Sequence, residues 1–355
     1  MTAIPKPRRR LWRTWLKWPR DLRQFAPRID ARDLLAAPPA EQELAHWGEV
    51  ILLEDIVIAL HRDGTTSWLT HLVTMPYSNE LLSKWDDVNR TYDERTTRLS
   101  LRRAVVYSPS AGMRKATKQV APLSPYERLQ KLTFAPLHPG VTIEMEMQDD
   151  SFIAETPGPS IWANFALITA PPCRRRRLTA AIADPFTATV QQHFGGEPPL
   201  ETQQGDYRVY QWELFDAPGI EFDAFTPPPH DFIPWIDISS LPDWEPIARH
   251  YRRELLPPRP TPGPVAQLAR ELTAAATTPH QMLEAIYAYA ARDVRYGRHP
   301  SELSTPKIRD ASKMLEDLRG DCKDKSSLMV AMLREVGIPA EVVVVLTGQN
   351  GRTPF

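Results

Sequence analysis

The chain is 355 residues long, with 42% hydrophobic residues and a formal net charge of −1. This length and apolar content predict two or more packed domains and exclude a disordered chain. The balanced charge excludes a general attraction to nucleic acid, and no apolar run reaches the roughly 18–20 residues of a membrane-spanning helix. The two cysteines, Cys173 and Cys322, fit no metal-binding spacing, so we expect no disulfide scaffold, no metal and no cofactor.

The first 32 residues form a basic segment, with ten lysines or arginines against two aspartates. Trp12, Trp15 and Trp18 lie among these charges, a pattern compatible with weak contact to an anionic membrane surface. The simpler interpretation, which we prefer, is a disordered basic tail over residues 1–40. No apolar run of signal-peptide length follows the arginines, so no secretory signal is predicted and a cytoplasmic location is favoured.

Residues 41–238 have the pattern of an all-β domain. A run rich in valine and isoleucine at 49–60 is followed by a turn sequence at 62–65 and a second apolar run at 68–73, which together predict a hairpin. Residues 141–147 alternate apolar and polar side chains, which predicts a strand with one face of each kind. Further short strands between proline-rich breaks indicate a β-sandwich-like domain.

Four consecutive arginines follow Cys173, at positions 174–177. Charged residues at the edge of a sheet discourage pairing with other molecules. We therefore expect this run at an exposed strand edge or turn rather than in a binding patch.

The pattern changes to helical after residue 238. Proline breaks and helical apolar spacing predict five helices, at 242–256, 265–276, 279–294, 310–318 and 322–336. Gly337 is expected to end the last helix in the left-handed conformation. The apolar run at 340–346 predicts a buried strand. The expected fold class is therefore α+β, with an all-β region first.

Cys322 lies at the start of the last predicted helix, in the sequence Arg-Gly-Asp-Cys-Lys-Asp-Lys. Asp321 is a good N-cap and Asp324 has the spacing of a capping box, so Cys322 is predicted to be the first helical residue. Gly320 would permit a tight turn just before it. This arrangement makes Cys322 a candidate nucleophile, with Gly320 and Asp321 in supporting positions.

The helix dipole and the flanking Lys323 and Lys325 favour the charged thiolate of Cys322, whereas the alternative is a buried structural cysteine. A catalytic cysteine also needs a base, usually a histidine. All nine histidines precede Cys322 in the chain. Either the downstream base is missing, or His280 or His299 folds back onto the thiol.

The segment from residue 235 onward resembles bacterial transglutaminase-like proteins. The motif at 319–325 carries most of this resemblance, and the other matching pieces are Trp235, Ser239-Ser240, the run at 244–248, the run at 286–289, Arg295-Tyr296 and Gly337-Ile338. The preceding β-rich region resembles the domain of unknown function that commonly accompanies this core. Relatives in this family often look periplasmic or secreted.

The resemblance implies a papain-like core in which Cys322 is the nucleophile and a later histidine and aspartate complete the triad. Those two partners have no counterpart in this sequence, so we expect an incomplete core over 239–355 behind a β-sandwich-like domain over 41–238. The implied reaction is acyl transfer from a protein or peptide through a Cys322 thioester, impaired or absent in this chain.

Two further interpretations stay open. The backbone N–H of Cys322 is a natural oxyanion donor, and Tyr296 is a candidate second donor, although a core aromatic is the simpler interpretation of Tyr296. The whole chain could instead be a non-catalytic interaction module whose β region binds a protein partner. Whether the protein is an enzyme is therefore not decided by the motif.

Overall fold

The computed structural model describes residues 20–152, 158–255, 263–297, 309–343 and 345. These residues form two compact units that divide between Pro242 and Asp243. The first unit is mainly β-sheet and the second mainly helical, so the predicted α+β class is confirmed. Within the described ranges no helix is long and apolar enough to cross a membrane.

The first unit is built on an eight-stranded sheet. The strands of the whole unit are β1 (Glu49–Leu60), β2 (Thr66–Pro76), β3 (Asp87–Asp93), β4 (Thr97–Ser108), β5 (Gly112–Lys115), β6 (Thr117–Pro122), β7 (Glu127–Thr133), β8 (Thr142–Ser151), β9 (Trp162–Ala166), β10 (Cys173–Ala183), β11 (Thr189–His193), β12 (Leu200–Gln204), β13 (Tyr207–Ala217) and β14 (Trp235–Ser239). The large sheet has the order β12-β13-β10-β1-β2-β8-β4-β5, and two small sheets have the orders β11-β14-β9 and β3-β7-β6. Its helices are α1 (Ala31–Leu35), α2 (Glu41–Trp47) and α3 (Asn79–Asp86), with 3-10 turns at Leu22–Gln24 and Pro229–Asp231.

The predicted hairpin is confirmed: β1 and β2 pair antiparallel, and the His61 N–H donates to the Thr65 carbonyl at 2.9 Å. Successive residues of a strand point to opposite faces of the sheet. Ile58 of β1 packs with Ile236 of β14, whereas the neighbouring Val57 packs with Leu22 of the N-terminal segment. The large sheet is therefore covered on both faces, by a small sheet on one and by the N-terminal segment on the other.

Residues 20–40 are ordered, so the prediction of a disordered tail is wrong for them. Leu22 and Phe25 are buried against the large sheet. Arg23 reaches Asp55 Oδ2 at 2.6 Å, and Arg28 reaches Glu146 Oε2 at 3.0 Å. The arginines that suggested a solvated tail instead neutralise carboxylates beneath the segment. The three tryptophans expected near a membrane surface lie outside the described residues.

The polar face of β8 is buried beneath this segment. Its side chains alternate as predicted, and Glu144, Glu146, Gln148 and Asp150 all point to the covered face and are inaccessible to solvent. Burial by itself would raise the pKa of Glu144, but hydrogen bonds from His71, Tyr107 and Arg103 outweigh it and lower the pKa to about 2. This buried polar network lies beside the apolar cluster of Leu22 and Val57, beneath the same N-terminal segment.

The arginine run lies in an interior strand, so the prediction of an exposed edge or turn is wrong. It belongs to β10, which pairs with β1 and β13 on its two sides. Arg176 and Arg177 are only 4% and 6% exposed. They lie opposite Glu54 and Asp55 of β1, and each pairs with its opposite carboxylate. The sequence of either strand alone does not show this register.

Acid is expected to destabilise the first unit through His61. Burial lowers the pKa of His61 from 6.5 to about 4, and the ring bonds Tyr207 Oη and Ser67 Oγ at 2.8 and 2.9 Å. Between pH 6.5 and about 4, His61 is protonated in the unfolded chain but stays neutral in the folded chain. The free energy of unfolding therefore decreases as the pH falls through this range. The loss amounts to at most about 3 kcal/mol.

Urea unfolding at pH 4.5 and pH 7 measures this loss. The His61→Gln variant should show a smaller difference between the two pH values than the unaltered protein. His138→Gln, which changes an exposed imidazole, is the matched control. An equal pH dependence in the His61 variant and the unaltered protein would contradict the assignment.

The second unit is a helical cluster with one short parallel pair of strands. Its elements are α4 (Glu245–Leu255), α5 (Gly263–Thr273), α6 (Pro279–Arg292), β15 (Arg295–Tyr296), α7 (Ala311–Asp317), β16 (Arg319–Gly320) and α8 (Cys322–Glu335). The five predicted helices are thus confirmed. Apolar residues of four of them form the core, among them Val265, Ile286, Met314 and Leu328. Gly337 follows α8 with φ +81°, as predicted for its end.

The strand predicted at 340–346 is not found among the residues described there. Residues 340–343 and 345 have no regular secondary structure, and Val343 and Val345 are exposed. A strand is stabilised by pairing with a neighbour, and the strands described in this unit, β15 and β16, pair with each other. An apolar run alone therefore did not make a strand here.

Candidate functional site

Cys322 is the first residue of α8, and its side chain is exposed. The predicted capping box is present. Asp321 Oδ1 accepts the N–H groups of Lys323 and Asp324 at 2.9 and 3.2 Å, and Asp324 Oδ2 accepts the N–H of Asp321 at 3.1 Å. The helix start is therefore held by two carboxylates, one on each side of the cysteine.

The capping box leaves the backbone N–H of Cys322 available. Helices begin with N–H groups that have no acceptor within the helix. Side chains satisfy those of Asp321, Lys323 and Asp324, whereas that of Cys322 has no acceptor among the residues that the structure describes. This donor lies at the positive end of the helix dipole, next to an exposed sulfur.

Gly320 is required by close packing rather than by a turn. It belongs to β16 and is buried. A Cβ atom there would lie 2.8 Å from Asp324 Cβ and 3.0 Å from Met314 Cε. The turn expected from the sequence is not the reason for this glycine, because the backbone is extended in a strand pair.

Asp324 joins the helix start to the segment before α7. Its side chain is buried, and its second oxygen accepts the N–H of Arg309 at 2.9 Å. Arg309 in turn donates to the Arg319 carbonyl at 2.7 Å and pairs with Asp317. Arg309 therefore links the start of α8, the end of α7 and β16 through its hydrogen bonds and ion pair.

Both flanking lysines have partners other than the thiol. Lys323 pairs with the N-cap carboxylate of Asp321. Lys325 Nζ donates to the carbonyls of Val294 at 2.9 Å and Ala291 at 3.5 Å. The sequence pattern suggested that the lysines stabilise the thiolate. It could not show that Lys323 pairs with Asp321, or that Lys325 bonds carbonyls at and just after the end of α6.

Tyr296 is 73% exposed, so its interpretation as a core aromatic is wrong. It lies in β15 directly opposite Gly320 of β16, two residues before Cys322. The N–H of Arg295 donates to the Leu318 carbonyl at 2.8 Å, and that of Gly297 donates to the Gly320 carbonyl at 3.1 Å. The strand pair thus places this tyrosine next to the residues that lead into α8.

His280 is not placed to serve as a base for Cys322. It lies in the first turn of α6, is exposed, and is 3.7 Å from Glu284. Lys325, in the first turn of α8, contacts Ala291 at the other end of α6. The twelve helical residues from His280 to Ala291 span about 18 Å, so His280 lies far from the start of α8. His299 lies outside the described residues. Within the described part of the chain, Cys322 Sγ has no hydrogen-bond partner.

Cys173 differs from Cys322 in its exposure to solvent. It is buried in β10, and burial raises the pKa of its thiol to about 11. Its Sγ donates to the Arg175 carbonyl at 3.4 Å. No group of three or more histidine, cysteine, aspartate or glutamate side chains that could hold a metal ion occurs in the described ranges.

Residues 266–353 match the family model of the transglutaminase-like superfamily. No curated protein matches the sequence. Among solved structures, a protein from Parabacteroides distasonis described as a candidate protease is 14% identical with a TM-score of 0.69. The match covers 82% of this chain but only 59% of that protein, and at this identity it shows the fold alone.

Two other solved structures match with much lower scores. Yeast LTA4 hydrolase in complex with bestatin is 9% identical, with 59% of this chain and 33% of that chain covered and a TM-score of 0.27. An M1 zinc metallopeptidase from Deinococcus radiodurans is 11% identical, with coverages of 54% and 42% and a TM-score of 0.29. These scores are too low to support an argument about fold or chemistry. The match over 266–353 includes Cys322, so the segment around this cysteine is the part of the chain that is similar to the transglutaminase-like superfamily.

Proposed function

We propose that this protein carries out thiol-dependent acyl transfer, with Cys322 as the nucleophile. The observation that carries the proposal is the pairing of an exposed sulfur with an unused N–H on the same residue at a capped helix start. A buried structural cysteine would need neither feature. A protein or peptide amide is the substrate class that agrees with the superfamily and with the protease-like fold neighbour.

The first step is attack by the Cys322 thiolate on an amide carbonyl carbon. A carbon–sulfur bond forms and the carbonyl electron pair moves to oxygen, where the Cys322 N–H donates a hydrogen bond to the new negative charge. Collapse re-forms the carbonyl, breaks the carbon–nitrogen bond, and releases the amine with a proton from a general acid. We assign that acid to none of the described residues, because none is hydrogen-bonded to the sulfur.

Water or a second amine then attacks the thioester. The carbon–sulfur bond breaks, the acyl group leaves as an acid or a new amide, and the thiolate re-forms, while the proton lost by the attacking water or amine returns to the general acid. Tyr296 is the proposed second donor to the oxyanion, because its exposed side chain lies on the strand paired with Gly320. Gly320 and Asp321 support the reaction by shaping and capping the helix start.

Reaction with p-nitrophenyl acetate tests the nucleophile without requiring the later steps. We expect stoichiometric release of p-nitrophenolate and an acetyl group on the peptide that contains Cys322, at least about tenfold faster than in urea-unfolded protein. Mass spectrometry of the digested protein locates the group. Cys322→Ala should abolish the acetylation, and Cys173→Ser should leave it unchanged.

The alternative is a non-catalytic module that binds a partner through its β-sheet unit. It predicts that folded and unfolded protein acetylate Cys322 at the same rate. That result would overturn the proposed function, because the helix start would then add nothing to the reactivity of an ordinary thiol.

A further inference from the structure

We propose that Lys325 is a positioning residue that holds the Tyr296 strand beside the nucleophile helix. This inference rests on the proposed function, because it assigns Lys325 to the same site. It replaces the electrostatic role suggested by the sequence with a structural one. The evidence is the position of the ammonium group: it donates to the carbonyl of Val294, just past the end of α6, at 2.9 Å, and to that of Ala291 in the last turn of α6 at 3.5 Å.

The end of α6 is a natural binding place for a cation. The last carbonyls of a helix have no acceptor role within it, and they lie at the negative end of the helix dipole. Lysine side chains near a helix end commonly bond these carbonyls. Here the lysine comes from a different helix, so the contact ties the start of α8 to the end of α6.

Lys325 acts on Tyr296 through the backbone. Val294, whose carbonyl accepts the stronger of the two hydrogen bonds, directly precedes β15. Two further bonds hold the strand itself: the Arg295 N–H donates to the Leu318 carbonyl just before β16, and the Gly297 N–H donates to the Gly320 carbonyl in β16. One side chain in the first turn of α8 therefore fixes the point at which the Tyr296 strand begins, while β16 leads directly into Cys322.

Lys323 provides the matched control. It lies two residues from Lys325 and carries the same charge, but it pairs with Asp321 instead of a second helix. If proximity of positive charge were the important property, both lysines would matter alike. If the tie to α6 is important, only Lys325 should affect β15.

Amide hydrogen exchange by NMR tests the proposal without depending on the chemistry of Cys322. In Lys325→Met we expect the N–H groups of Arg295 and Gly297 to exchange about tenfold faster, because a charge-assisted hydrogen bond that restrains the strand is lost. Lys325→Arg, which keeps the donors, should restore most of the protection. Lys323→Met should leave it unchanged, and equal exchange in Lys325→Met and the unaltered protein would overturn the proposal.

The acetylation rate supplies the second readout. Loss of positioning should lower the rate in Lys325→Met by about tenfold without moving the pH at which the rate is half-maximal. A shift of that pH with unaltered exchange would instead establish the electrostatic role. Failure of the proposed function is distinct, since it appears as slow acetylation in the unaltered protein. If Lys325→Met unfolds, Lys325→Gln, which retains a hydrogen-bond donor without the charge, serves for the same comparison.

Discussion

Iodoacetamide is expected to alkylate Cys322 in the native protein at neutral pH at least about a hundredfold faster than Cys173. The thiolate is the reacting form, and burial raises the pKa of Cys173 to about 11, so almost none of it is ionised. The same burial excludes the reagent from its sulfur, whereas Cys322 is exposed at a helix start.

Timed labelling followed by digestion and mass spectrometry measures both rates in one sample. In urea the two cysteines should react at similar rates, which provides the control for their intrinsic chemistry. Cys322→Ala should remove the fast phase, and Cys173→Ser should keep it. Comparable rates in the folded protein would show that the difference in environment between the two thiols does not exist in solution.

Replacement of Asp55 by alanine is expected to lower the free energy of unfolding of the first unit by about 3–5 kcal/mol. Asp55 is fully buried and accepts hydrogen bonds from Arg177 Nε at 2.9 Å and Nη2 at 2.8 Å, and from Arg23 Nη1 at 2.6 Å. Without the carboxylate, the guanidinium of Arg177 in the sheet interior and that of Arg23 in the N-terminal segment each lose a partner. Removing one member of a buried ion pair costs more than the pair itself contributes.

Urea denaturation followed by tryptophan fluorescence measures the change. Glu80→Ala is the matched control, because it removes an exposed carboxylate that pairs with Lys84 on the same helix. Such surface pairs contribute about 0.3–0.5 kcal/mol. A loss of stability in the Asp55 variant no larger than in this control would show that the network under residues 20–40 is not formed.

The helix start at Cys322 illustrates what local sequence can predict. An N-cap, a capping box and an apolar run act within a few residues, so Asp321, Asp324 and the start of α8 at Cys322 were predicted correctly. The β1–β2 hairpin was predicted for the same reason, since its turn and both its strands are adjacent in the chain. The same short motif around the cysteine predicted the resemblance to the transglutaminase-like superfamily, whose family model matches residues 266–353.

The errors concern residues whose partners are distant in the chain. The arginine run was expected at an edge, but the carboxylates that pair with Arg176 and Arg177 are supplied by β1, more than one hundred residues earlier. The N-terminal segment was expected to be disordered, because its own sequence does not show that carboxylates on β1 and β8 pair with its arginines. A charged residue in a sequence indicates an exposed position only where the fold places no opposite charge beside it.

The sequence by itself therefore determined the mixed α+β class, the five C-terminal helices and the capped helix start at Cys322, because each of these depends on short-range backbone and side-chain preferences. Only the tertiary structure decided that Lys325 binds the end of α6, that Tyr296 lies exposed opposite Gly320, and that Cys173 is buried. These properties depend on which elements become neighbours. Packing and strand register choose those neighbours, and neither can be read from one segment alone.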